Sequence, residues 1–132
     1  MTKNPDNAES PDADVFREAR TSILVMAWLG LIGMILLGLG ALTWAVMMLI
    51  YFPDHIGALT GDTIAFCLGV LAAATGAYGV RTFRSLLRCG RHLGADGELG
   101  PALEQHRLFW RQGAILSGLL LLETLGFMVA GA

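Results

Sequence analysis

From Thr21 to Phe52 the chain carries no charged side chain. As a helix that run is about 48 Å long, against a hydrocarbon core of about 30 Å. Two more runs have the same character: Thr63 to Val80, between Asp62 and Arg81, and Gln112 to Ala132, with one acid, Glu123. About 20 apolar residues suffice for a helix to cross a membrane. The runs therefore predict an all-α integral membrane three-helix bundle. A 55% hydrophobic composition and a mean hydropathy of +0.60 agree, because soluble domains hold about 45–50% apolar residues. The first run must tilt or leave its ends in the interfaces. It is too long for the core of a secretory signal, and an acidic rather than basic segment precedes it.

Orientation follows from the basic residues. Lys3, Arg17 and Arg20 precede span one, and Arg81, Arg84, Arg88, Arg91, Arg107 and Arg111 lie between spans two and three. The loop "PDHIGALTGD" has neither Lys nor Arg. Three spans put both basic groups on one side, and the positive-inside rule makes that side the cytoplasm. The N-terminus is then inside and the C-terminus outside. Arg in place of Lys at all but one basic position suggests a GC-rich bacterial genome, hence a multi-pass protein of the bacterial inner (cytoplasmic) membrane. Trp28, Trp110 and Tyr78 are placed as inner-interface anchors and Trp44 and Tyr51 as outer ones.

Residues 1–14, acidic and with two prolines, are expected to be a disordered tail, with Asp12 or Asp14 capping the first helix. Residues 15–52 then form span one with its cytoplasmic extension, 53–62 the outer loop and 63–93 span two with its extension. A turn over 94–100 leads to the arm and span three, 101–132. The stretch between spans two and three is too long for a structureless loop in a compact domain. It reads as a cytoplasmic helical hairpin, with Leu99, Ala102, Leu103, His106, Phe109 and Trp110 facing Phe83, Leu86, Leu87 and Leu93.

The segment "LGPALEQHRLFWRQGAIL", with Leu99, Ala102, Leu103, Phe109, Trp110, Arg111 and Gly113, resembles the connector and last span of small bacterial multi-span membrane proteins of unknown function. The resemblance covers about a sixth of the chain. It implies the architecture and no activity.

Span two is made of small residues. Ala65, Gly69, Ala72, Gly76 and Gly79 recur every third or fourth position, one narrow stripe of a helix. Lipid does not require small residues, whereas a neighbouring helix gains van der Waals contact when Gly and Ala let backbones approach. The heptad-like spacing favours a left-handed crossing near about +20°. Span one has Ala27, Gly30, Gly38, Ala41 and Ala45 on one side and Gly33 and Gly40 on another. Two small faces suggest two neighbours, within the chain or outside it.

Glu123 falls about 18 Å beyond Arg111 along an upright helix, near the bilayer centre. An unpaired carboxylate there is costly, so it must be protonated, paired or beside water. Gly126 and Ala130 share its face, so it looks toward another helix. Thr43, Thr75 and Cys67 are the polar candidates to meet it. It is read first as polar glue between helices, and alternatively as a proton or cation relay.

Arg81, Arg84, Arg88 and Arg91 form a basic stripe, read as topogenic charge in contact with lipid headgroups. Cys67 and Cys89 are read as free thiols. Cys89, His92 and His106 fall short of a four-ligand zinc site, so no metal is expected. His55, His92 and His106 lie outside the spans, which argues against a bis-histidine haem, and no cofactor is expected. Neither a nucleophile–base pair nor a phosphate loop is present, so no enzyme is expected. A net charge of −2 gives no reason for a nucleic-acid partner. The partners implied are the lipid bilayer and either further copies of the chain or a larger membrane complex. The leading functional expectation is a non-catalytic accessory subunit or homo-oligomer. The alternative is a homo-oligomeric proton or ion conduit using Glu123, and a third option is the membrane anchor of a redox complex.

Overall fold

The computed structural model describes residues 11–55, 61–93 and 99–131. They form three long helices, α1 (Pro11–Tyr51), α2 (Gly61–His92) and α3 (Leu99–Gly131), with a 3-10 turn over Pro53–His55 after α1. No strand occurs among the described residues. Each helix contains a segment long and apolar enough to cross a membrane, so the chain has the make-up of a membrane protein. Residues 1–10 of the expected tail, 56–60 of the expected loop, 94–98 of the expected turn and Ala132 lie outside the described residues.

Residues 11–14, expected in the tail, belong to α1. Pro11 opens the helix, where its missing N–H would have had no partner anyway. Asp12 and Asp14 consequently lie inside the first turn rather than at the cap. Helix α1 has 41 residues, α2 has 32 and α3 has 33. At 1.5 Å per residue all three exceed the roughly 30 Å hydrocarbon core.

The bundle has α2 at its centre. Helices α1 and α3 each pack along α2 and make no comparable contact with each other. Burial agrees: 28% of the apolar segment of α2 is buried, against 11% in each of α1 and α3.

Helices α1 and α2 run antiparallel, and small residues set their separation. At the closest approach Gly76 meets Gly38, where a Cβ on Gly76 would sit 2.5 Å from Gly38 Cα and 3.0 Å from the Met34 carbonyl oxygen. Above and below, a large side chain of one helix covers a glycine of the other. Trp44 lies over Gly69, Met34 over Gly79 and Leu24 over Gly90, while Phe83 of α2 lies over Gly30 of α1. The pairs follow one another in matched steps along the two helices, so one register holds over their shared length. Ala27, Met34 and Ala45 are buried along the same side of α1.

Helix α3 presents every third or fourth residue inward: Ala102, Gln105, Phe109, Gln112, Leu116, Leu119, Glu123, Gly126 and Ala130 are buried or half-buried. This is the spacing of helices that cross at a shallow left-handed angle. Leu68 of α2 covers Gly126, and the rings of Phe83 and Phe109 lie 5.8 Å apart. The expected inward face of the arm needs correction. Ala102 and Phe109 turn inward, but Leu99, Leu103, His106 and Trp110 are exposed. The seam runs through the amides Gln105 and Gln112, because it continues the repeat set by Leu116 and Glu123.

Tight contacts differ in what can yield. At Gly76 the obstacle is backbone, whereas at Gly79 it is the flexible end of Met34, and at Gly33 the space is open. We expect Gly76→Ala to lose about 1–3 kcal/mol, as overpacked sites do, and Gly76→Leu to lose more. Gly79→Ala should cost less, and Gly33→Ala should cost nothing or stabilise by up to about 1 kcal/mol, alanine being the better helix former. Unfolding of the four variants in detergent, followed by tryptophan fluorescence, tests this ranking; equal stability of Gly76→Ala and Gly33→Ala would refute it.

Candidate functional site

The most specific polar contact within the membrane-spanning region joins α2 to α3. The Thr75 hydroxyl donates a hydrogen bond to Glu123 Oε1. Thr75 is 1% exposed and Glu123 5%. Among the polar candidates, Thr43 turns away and donates to the Leu39 carbonyl of its own helix at 2.8 Å. Cys67 is exposed.

That contact belongs to a longer polar seam. Thr75, Thr82, Ser85 and Cys89 are buried along α2. The Thr82 hydroxyl donates to the Tyr78 carbonyl at 3.1 Å and Ser85 to the Thr82 carbonyl at 2.6 Å. Bonding to their own helix satisfies these hydroxyls without a partner across the interface. On α3 the side-chain oxygens of Gln105 and Gln112 are buried with no hydrogen-bond partner. Chemically, the seam links two helices through one carboxyl–hydroxyl bond and a few self-satisfied hydroxyls.

The small residues fall into two sets. Gly69, Ala72, Gly76 and Gly79 are buried on α2 and Ala65 is half-buried; Gly30, Gly38 and Ala41 of α1 are half-buried. Gly33 and Gly40 of α1 and Gly113 and Gly118 of α3 have nothing within 4 Å of where a Cβ would stand.

Arg81, Arg84, Arg88 and Arg91 are all exposed on α2. The first three line a groove with Ala77 and Val80. His55 is in the 3-10 turn, His92 ends α2, and the exposed His106 accepts a hydrogen bond from Trp110 Nε1 at 3.0 Å. Cys89 is buried and Cys67 exposed, both free thiols. Among the described residues no three His, Cys, Asp or Glu side chains converge on a point that would hold a metal ion.

Interhelical hydrogen bonds in membranes contribute about 0.6 kcal/mol on average and up to about 1.7. Thr75→Val keeps the shape of the side chain but leaves the acid without its donor. We expect a loss within or above that range, up to about 3 kcal/mol, because a buried acceptor is left unmade. In a double-mutant cycle with Glu123→Ala, the two losses should not add. Additive losses in detergent unfolding would show that the two side chains do not act together.

The chain matches no protein-family model, no curated protein and no solved structure.

Proposed function

We propose that this chain is a small, non-catalytic, multi-pass protein of the bacterial inner membrane that works by association, as a homo-oligomer or as an accessory subunit of a larger membrane complex. The observation that carries this reading is the second small face of α1. Gly33 and Gly40 front open space while Gly30 and Gly38 are covered. Glycine is less favourable than alanine in a helix by about 0.8–1 kcal/mol. Lipid returns nothing for that cost, whereas a closely approaching helix does.

The engagement of Glu123 by Thr75 supports the structural role of that acid over the conduit alternative, which needs the carboxyl to face water. The proposed orientation has the N-terminus in the cytoplasm, the C-terminus outside, and α2 and α3 continuing into a cytoplasmic hairpin. Its support is the confinement of Lys and Arg to residues 3–20, to the C-terminal part of α2 (Arg81 to Arg91) and to the N-terminal part of α3 (Arg107 and Arg111). An alkaline phosphatase fused after Ala132 should be active, and one fused in the α2–α3 connection inactive; the reverse pattern would invert the topology.

The decisive measurement is the mass and protein content of the tagged protein extracted in mild detergent. We expect either a single species at a multiple of 14.1 kDa or a second membrane protein in fixed ratio. Gly33→Leu together with Gly40→Leu should reduce it to the monomer without unfolding it. A monomer with no companion in the native protein would overturn the association reading.

A further inference from the structure

The cleft between α1 and α2 is open on one side. Met34, Ile35, Gly38, Leu39 and Leu42 form one wall, and Ala73, Gly76, Ala77 and Val80 form the other, around a volume of about 270 Å³. The groove exists because the residues that allow the helices to meet are too small to cover their own contact line. Gly38 and Gly76 bring the backbones together and put no side chain over the join. Ile35, Leu39 and Leu42 stay exposed beside it, at 41%, 57% and 52%.

At one end this apolar groove runs into the basic one. Ala77 and Val80 belong to both, and beyond them the lining becomes Arg81, Arg84 and Arg88, around about 450 Å³. No carboxylate among the described residues pairs with these three arginines. The two grooves make one path with a cationic mouth and an apolar bed. From Val80 to Ala73 the bed is about 10 Å long by helix rise, against roughly 15 Å for one leaflet of a 30 Å core. Charge and shape change at the same place, as they do in a phospholipid. A guanidinium fork matches the paired oxygens of a phosphate.

We propose that this path is a binding site for one anionic phospholipid, with its headgroup phosphate on Arg84 and Arg88, assisted by Arg81, and one acyl chain along Ala77, Ala73 and Gly38. The site is independent of the association reading, since it needs only the α1–α2 pair. It also separates two roles of the arginines, because orienting a chain during insertion requires no apolar bed.

The test uses the full-length protein, delipidated in detergent and titrated with phosphatidylglycerol or phosphatidylcholine, with bound lipid counted by native mass spectrometry. Micelles have no sides, so topology does not affect the readout. One phosphatidylglycerol per chain should bind at least tenfold more tightly than phosphatidylcholine. Arg84→Gln with Arg88→Gln should abolish that preference. Ala77→Phe, whose side chain would enter the groove from an exposed position, should weaken phosphatidylglycerol at least tenfold with all arginines present, and its thermal unfolding should match the native protein. Millimolar inorganic phosphate should not displace the lipid. Equal binding of the two lipids, displacement by phosphate, or an Ala77→Phe variant that binds normally would each overturn the site. An Ala77→Phe variant that changes the protein's mass instead of its lipid would mean that a second protein chain fills the groove.

Discussion

The backbone approach of Gly38 to Gly76 fixes the rest of the molecule. In lipid, apolar side chains gain nothing by leaving the solvent, so helices hold together only through close packing and hydrogen bonds. Close packing requires that one surface recede where the other protrudes. Around the Gly38–Gly76 contact the two helices do this in turn: Trp44, Met34 and Leu24 project from α1 onto glycines of α2, and Phe83 projects back onto Gly30. A shift of one residue would drive these side chains into backbone. Register is therefore set by sterics alone, with no polar group needed on that side of α2.

The other side of α2 works differently. Helix α3 meets it through the bond from Thr75 to Glu123, on a face of α3 that also carries Gln112 and Gln105. Fewer glycines are covered here, and Leu68 over Gly126 is the counterpart of the knobs on the α1 side. The Thr75–Glu123 bond supplies the alignment that sterics supply elsewhere. A one-turn slide of α3 would cost it, while most of the apolar contact would be regained. One helix thus holds its two neighbours by different means, close packing toward α1 and a directional hydrogen bond toward α3.

This division explains what could be read from the sequence. The three helices were legible because charge-free runs of that length have few alternatives. The stripe from Ala65 to Gly79 was legible because its residues lie at helical spacing, and Gly69, Gly76 and Gly79 prove to be those covered by α1. The α3 seam was harder. Leu103 and Trp110 are the natural inward choices by hydrophobicity, yet both are exposed. Gln105 and Gln112 lie inward because they continue the repeat that Leu116 and Glu123 set. Thr75 stood among three possible partners of Glu123, and only the rotation of α2, fixed by its glycines against α1, singles it out. The start of α1 was missed because Pro11 and two acids suit a loop and a first helical turn equally well.

A helix that packs on two sides with small residues has little left to cover its remaining surface. Between Leu71 and Tyr78 helix α2 carries no large apolar side chain, and Ala73 and Ala77 line its open side. The bare strip follows directly from the packing, since Gly38 and Gly76 bring the two backbones together and put no side chain over the join. Four residues after Ala77 the sequence turns to Arg81, Arg84 and Arg88 on the same side. The stripe that joins the helices and the groove beside it are thus two consequences of one choice of residues. A change at Gly76 acts on both, whereas a change at Ala77 acts on the groove alone.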